Sequence, residues 1–138
     1  EGDEYTPAAT GSNRHTGKTP EAPKPSPVHV LRTYELAGGT LNVDTGTYML
    51  YEPVRISGSR DLGLGLDEGF LLTGPTDPER VARLMLGPAD WRVRELDDPR
   101  TSALIELDDA DFVTVSHLTL DVAQRGVWVH GGSDSFTL

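Results

Sequence analysis

A repeat of short strands in the last third of the chain is the feature that most constrains its fold. The segment ALIELDDADFVTV (103–115) can be placed over RGVWVHGGSDSFTL (125–138) with matching apolar positions. Two pairs match at an offset of 22 residues: Ile105 with Val127 and Leu107 with Val129. A repeat of this length, made of strand, turn and strand, is typical of one coil of a solenoid.

The repeat continues after one inserted residue. Three further pairs then match: Val113 with Phe136, Val115 with Leu138 and Asp111 with Asp134. In a solenoid of this kind each strand pairs in parallel with its equivalent one coil later, about 4.8 Å away. The alternation therefore predicts that Val127 and Val129 point into the core, and that Trp128 and His130 point outward.

The rest of the chain after residue 39 has the same character. Its apolar residues alternate with polar ones in short runs bounded by Gly, Pro, Asp or Ser. The predicted strands lie in TLNVDTGTY, PVRISGS, GFLLTG, RLML, ALIEL, FVTV, LTL, GVWVH and SFTL. About nine strands of this length are too short for a typical β-sandwich.

The N-terminal part is predicted to be different. Residues 1–27 hold five of the ten prolines and few aliphatic residues, which predicts an extended arm that is ordered only where it lies on a core. Ser26 as N-cap, Pro27 at the first helical position and Gly38 after the end predict one short helix over 27–36.

The charge balance argues against two classes of partner. The chain has a formal net charge of −10, whereas nucleic acids and anionic membranes bind proteins largely through Lys and Arg. No apolar run approaches the roughly 20 residues that a membrane-spanning helix needs. The chain has no cysteine, which excludes disulfides and thiolate chemistry but fits both a cytoplasmic protein and a bacterial surface protein.

The first fifty residues resemble the beginning of bacterial right-handed parallel β-helix proteins of the pectin-lyase-like fold. Three motifs carry the resemblance: Gly11-Ser12-Asn13, Gly17-Lys18-Thr19-Pro20, and GTLNVDTGTY over residues 39–48. The segments LTGPTDPERVARLML and LDDADFVTVSHLTLDVAQRGVWV are similar to the coils that follow in such proteins. One position departs from the pattern, because Gly39 is followed directly by Thr40 without the usual Asp.

The resemblance implies an all-β fold, namely the N-terminal coils of a right-handed parallel β-helix with a short capping helix. Residues 28–138 would hold the helix and first coils, and we expect further coils after residue 138. The resemblance also implies a secreted or cell-surface bacterial protein. Two functions stay open: a non-catalytic display, adhesion or carbohydrate-binding module, and a polysaccharide lyase or glycoside hydrolase with its active site on later coils. No catalytic residue can be assigned from the family.

Three residues are candidates for carbohydrate binding. The alternation puts the Trp128 indole on the outer face above Glu106, and an aromatic ring beside a carboxylate suits the C–H face and the hydroxyls of a sugar. Trp91 lies with three arginines in the longest insertion, which could form a wall of a groove for an acidic glycan. The alternatives are that a loop covers Trp128 and that the Trp91 loop only shields the helix side.

The segment ELDDAD offers the densest set of oxygen ligands. Asp108, Asp109 and Asp111 are candidate calcium ligands, together with the neighbouring Glu106, although the spacing fits no known calcium loop. The alternative is a solvated turn. His130 is expected to stack near Asp108, either as an acid–base pair or as a surface ion pair.

Overall fold

The computed structural model of the protein describes residues 9–34, 38–58, 69–87, 103–121, 123 and 125–138. These residues form one helix and nine strands. The elements are α1 (Pro27–Thr33), β1 (Thr40–Asn42), β2 (Gly46–Leu50), β3 (Val54–Ser57), β4 (Phe70–Thr73), β5 (Ala82–Leu86), β6 (Ala103–Asp108), β7 (Val113–Ser116), β8 (Leu118–Asp121) and β9 (Arg125–His130). The run TLNVDTGTY, predicted as one strand, contains β1 and the start of β2. The predicted strand in SFTL is present as an isolated parallel bridge between Thr114 and Thr137.

The nine strands form three parallel sheets of three strands each. We call them sheet A (β1-β4-β7), sheet B (β2-β5-β8) and sheet C (β3-β6-β9). The chain passes through A, B and C in that order three times, so each strand from β1 to β6 pairs with the strand three elements later. This is a coiled, β-helix-like arrangement, and it confirms the predicted parallel stacking.

The strand register confirms the 22-residue offset in the last coil. Ile105 pairs with Val127 and Leu107 pairs with Val129. The offset is larger earlier in the chain, where Val54 pairs with Ile105, 51 positions later. The earlier offset is longer because the chain between β3 and β6 contains long segments besides β4 and β5. The chain between β6 and β9 contains few residues besides β7 and β8. The 22-residue period therefore describes only the final coil.

The core lies between the three sheets and is built from the inward positions of the strands. The fully buried large side chains are Val54, Ile56, Phe70, Leu72, Leu84, Leu104, Ile105, Leu107 and Val113. Val127 packs against this cluster, as predicted, whereas Val129 is 39% exposed. Among the described residues no strand pairs with the other side of β9, so Val129 is covered from one side only.

Helix α1 packs against β3 and adds Val28 and Leu31 to the core. Pro27 occupies its first turn as predicted, and Ser26 is the N-cap in an extended conformation without a side-chain capping bond. The helix ends at Thr33, before the predicted residue 36, because Tyr34 adopts an extended conformation (φ −127°, ψ 146°). At seven residues it is far too short to cross a bilayer, and no other helix in the described ranges could do so.

The residue that follows each strand of sheet C lies in a turn or bend, and these three corner residues lie next to one another. They are Gly58, Asp109 and Gly131. Asp109 has a positive φ of 54° and Gly131 one of 71°. A Cβ atom on Gly58 would lie 1.7 Å from the carbonyl oxygen of Asp109, so this first corner excludes every side chain. The pairing of Ser57 with Asp108 and of Asp108 with His130 places the ends of β3, β6 and β9 next to one another.

Candidate functional site

The outward face of sheet C brings polar and aromatic side chains from three coils together. Arg55 of β3 pairs in register with Glu106 of β6, and Glu106 pairs with Trp128 of β9. Two residues further along, Asp108 pairs with His130. These side chains share one face because the alternating residues on the same strands point into the core. We call this set of five residues the sheet C cluster.

His130 joins the two carboxylates of the cluster. Its Nε2 atom lies 2.9 Å from Oε1 of Glu106, and its Nδ1 atom lies 3.4 Å from Oδ1 of Asp108. A neutral imidazole donates from one ring nitrogen only, whereas a protonated one donates from both. Glu106 is only 3% exposed, so its hydrogen bond to His130 is shielded from competing water.

Arg55 holds the same two carboxylates from the other side. Its Nη2 atom lies 2.5 Å from Oδ2 of Asp108, and its Nε atom lies 3.8 Å from Oε1 of Glu106. The guanidinium and the imidazole therefore flank both acidic side chains.

Trp128 completes the cluster. Its indole stacks on the imidazole of His130, with ring centroids 3.8 Å apart and an angle of 24° between the planes. The imidazole is thus fixed by an aromatic ring and by two carboxylates. The side chains of Arg55 and His130 are 56% and 26% exposed, and Trp128 is partly buried, so a ligand can reach this part of the cluster.

The predicted carbohydrate-binding residues fall in different places. Trp128 and Glu106 are adjacent, as the repeat predicts, while Trp91 lies outside the described residues. Because Glu106 is buried, its carboxylate can orient His130 but is not available to a ligand. Reasoning from the sequence did not identify Arg55 as a site residue. The alternation in PVRIS places Arg55 on the outer face, but no sequence repeat reveals the offset of 51 residues to Glu106.

The three aspartates predicted for calcium have different surroundings in the structure, and calcium binding stays a prediction. Asp109 is a corner residue of the chain, and Asp111 accepts a hydrogen bond at 2.7 Å from the backbone N–H of Asp134, one coil later. Within the described ranges, the set of His and acidic side chains close enough to share a metal is Glu106, Asp108 and His130, with ligand atoms within 4.8 Å of one another. The Arg55 guanidinium beside them opposes a cation there.

Comparisons with known proteins do not identify the chain. No protein-family model, no curated protein and no solved structure matches it. The resemblance to pectin-lyase-like β-helices therefore stays a prediction, whereas the parallel, coiled arrangement of short strands is a property of the structure.

Proposed function

We propose that this chain is a carbohydrate-binding part of a parallel β-helix protein, with the sheet C cluster as its saccharide site. The observation that carries the proposal is the alignment of Arg55, Asp108, His130 and Trp128 over the buried Glu106. These residues come from three different coils, so the binding surface is a product of the strand stacking.

The chemistry of the cluster suits a neutral sugar. An indole packs well against the apolar C–H face of a pyranose ring, and a guanidinium and a carboxylate form charge-assisted hydrogen bonds with hydroxyl groups. The cluster sets one guanidinium against two carboxylates, so an anionic ligand is disfavoured there. Because Glu106 holds His130, and His130 supports the indole, the surface is ordered before a ligand arrives, which lowers the entropy cost of binding.

The broader identity of the protein is part of the same proposal. A right-handed, pectin-lyase-like β-helix is supported by the motifs of residues 11–48 and by the strong preference of parallel crossover connections for the right hand. A secreted or surface-displayed bacterial protein fits this fold and the cysteine-free composition. A crystal structure with left-handed coils would exclude this family.

Calorimetric titration with cellohexaose, mannohexaose and xylohexaose tests the function. We expect saturable binding of at least one of them and its loss in Trp128→Ala. Tyr51→Ala is the matched control, because Tyr51 is an exposed aromatic residue next to β2 in the first coil, and it should bind like the wild type. Wild-type protein that binds none of the three, or a Trp128→Ala variant that binds normally, would contradict the proposal.

A second candidate function is cleavage of a glycan, and the position of His130 favours it. An imidazole between two carboxylates is a suitable acid–base group. This hypothesis predicts that the chain releases reducing ends or unsaturated sugars from a polysaccharide and that His130→Gln abolishes the release. Binding without any product favours the non-catalytic module.

A further inference from the structure

A groove lies where the N-terminal arm meets the first coil. Its volume is about 540 Å³, and part of its lining comes from the arm and helix α1. The first coil contributes Tyr48 and five consecutive residues, 40–44. Because this part of the lining is consecutive, the groove runs along the backbone of β1 and of the two residues that follow it.

Strand β1 is an edge strand of sheet A. It pairs with β4 on one side, and within the described ranges no strand lies on its other side. The carbonyl of Gly39 accepts the backbone N–H of Leu71 at 2.9 Å. The backbone N–H of Val43 donates to the carbonyl of Thr73 at 2.8 Å. The backbone groups of successive strand residues point to opposite edges, so Gly39, Leu41 and Val43 face β4.

Thr40 and Asn42 consequently turn their backbone N–H and C=O groups away from β4. Both residues are exposed and line the groove. No hydrogen bond from the described part of the chain reaches these four groups. Unpaired backbone groups of an edge strand are a template on which another extended chain can pair. The groove therefore offers the contacts for the addition of a strand.

The arm that borders the groove forms its hydrogen bonds elsewhere. Gly17 donates its backbone N–H to the carbonyl of Ala22 at 2.7 Å, within the arm. The Tyr34 hydroxyl donates to the carbonyl of Thr16 at 2.6 Å, which ties the arm to the end of helix α1. The arm is thus held beside β1 without pairing with it, and an ordered site loses less entropy on binding.

The charge of the groove indicates the charge of its ligand. The whole chain has two lysines, Lys18 and Lys24, and both line this groove. The Nζ atom of Lys24 donates to the carbonyl of Asn13 at 3.0 Å, and the Nζ atom of Lys18 lies 4.9 Å from the centre of the Tyr34 ring. An ammonium group has three donors, so both keep donors for a ligand. With Asp44 as the other charged residue of the lining, the groove is locally positive in a chain of net charge −10.

We propose that this groove binds an extended acidic peptide segment of a partner protein, which adds as a strand to the free edge of β1. The backbone of the peptide would pair with Thr40 and Asn42, and its Asp or Glu side chains would pair with the two lysines. Five residues of an extended strand span about 16 Å, which sets the length of segment that the run 40–44 can pair with.

Titration of the full chain with the peptide acetyl-EVEVE-amide, followed by backbone amide chemical shifts, tests this site. The control of opposite charge is acetyl-KVKVK-amide. We expect the acidic peptide to saturate shifts at residues 17–24 and 40–44, with affinity at least about tenfold above that of the basic peptide. Equal affinity for the two peptides, or shifts confined to other residues, would overturn the proposal.

Substitutions of the lysines test the choice of an acidic partner. Lys18→Gln and Lys24→Gln should each weaken binding of the acidic peptide about tenfold, and Lys24→Arg should restore part of it. Arg83→Gln removes the same charge from sheet B and should bind like the wild type. Unchanged binding in both lysine variants, or equal weakening by Arg83→Gln, would overturn the assignment.

Asn42→Pro tests the pairing with β1. Proline has no backbone N–H, and an edge strand tolerates it where that N–H faces away from the sheet. The variant should keep the wild-type chemical shifts of sheets B and C but lose the acidic peptide. Asn42→Ala keeps the backbone N–H and should bind normally. Normal binding by Asn42→Pro would show that no strand is added.

Hydrogen exchange locates the contact without any variant. The amides of Thr40 and Asn42 should exchange at least about tenfold more slowly with the acidic peptide bound, whereas the amide of Val43 is already bonded to β4. Slow exchange of both amides in the free chain would mean that the chain itself, or a second copy of it, covers the edge, and would overturn the proposal. This site is independent of the sheet C cluster, which is probed with neutral oligosaccharides.

Discussion

The Nε2 atom of His130 lies 2.9 Å from the buried carboxylate of Glu106, although the two residues are 24 positions apart in the chain. The contact joins the second coil to the third on the outer face of sheet C. It also explains why a carboxylate can be nearly inaccessible there, since His130 and Arg55 both lie against it. The sheet C cluster is therefore part of what holds neighbouring coils together.

Glu106→Gln should weaken this connection. The amide keeps the size of the side chain but removes the negative charge that contacts both His130 and Arg55. We therefore expect the free energy of unfolding to fall by about 1 to 3 kcal/mol. Urea denaturation measures the loss. Glu52→Gln is the control, because Glu52 pairs with Arg32 at the surface and should cost less than about 1 kcal/mol. Equal losses in the two variants would show that the burial of Glu106 has no energetic consequence.

The contribution of burial to stability can be measured by making the same Val→Ala substitution at a covered and at an uncovered inward position. Val113 is fully buried in β7, whereas Val129 in β9 is 39% exposed. Val113→Ala should cost about 2 kcal/mol of unfolding free energy, from lost burial and the cavity left behind. Val129→Ala should cost less than about 1 kcal/mol. A larger loss at Val129 would mean that its side chain is better packed than its exposure indicates.

The corner after β3 should reject a methyl group. Gly58→Ala would place its Cβ against the carbonyl of Asp109, and the required shift should cost about 1 to 3 kcal/mol. Gly39→Ala adds the same methyl group where no atom lies within 4 Å, and should leave the thermal midpoint unchanged or slightly raised. A tolerant Gly58 position would contradict the stacked corners of sheet C.

Engineered cysteines can test the parallel register, because the natural chain has none. Arg83 of β5 and Thr119 of β8 are exposed and directly paired. Arg83→Cys with Thr119→Cys should form a disulfide under oxidation, visible as the loss of two hydrogens by mass spectrometry. Arg83→Cys with Asp121→Cys is two residues out of register and should stay reduced. The reverse pattern would disprove the strand pairing of sheet B.

The last coil was predictable because its repeat is short. The offset of 22 residues aligns β6 with β9 from sequence alone, and the alternation assigns Trp128 to the outer face. Arg55, the partner of Glu106 in the first coil, was not predictable. The segment between Ser57 and Ala103 is so long that no sequence repeat aligns the two residues. Alternation also marks Glu106 as outward without showing that it is buried.

The groove between the N-terminal arm and the first coil, which Lys18, Lys24, Leu41 and Val43 line, could not be predicted from composition. Composition marks residues 1–27 as an arm, but it does not show the backbone hydrogen bonds that fold 12–24 into a loop. It therefore cannot show that Lys18 and Lys24 come to line one groove. The expectations of calcium binding, of secretion and of further coils after residue 138 stay predictions.

The most direct test of the proposed function is a map of backbone amide shifts with the neutral oligosaccharide that binds most tightly. The proposal predicts saturable changes at Arg55, Asp108, Trp128 and His130, on three neighbouring strands of sheet C, with sheets A and B unaffected. Changes confined to sheets A or B, or the absence of any change with all three oligosaccharides, would contradict a saccharide site on the sheet C cluster.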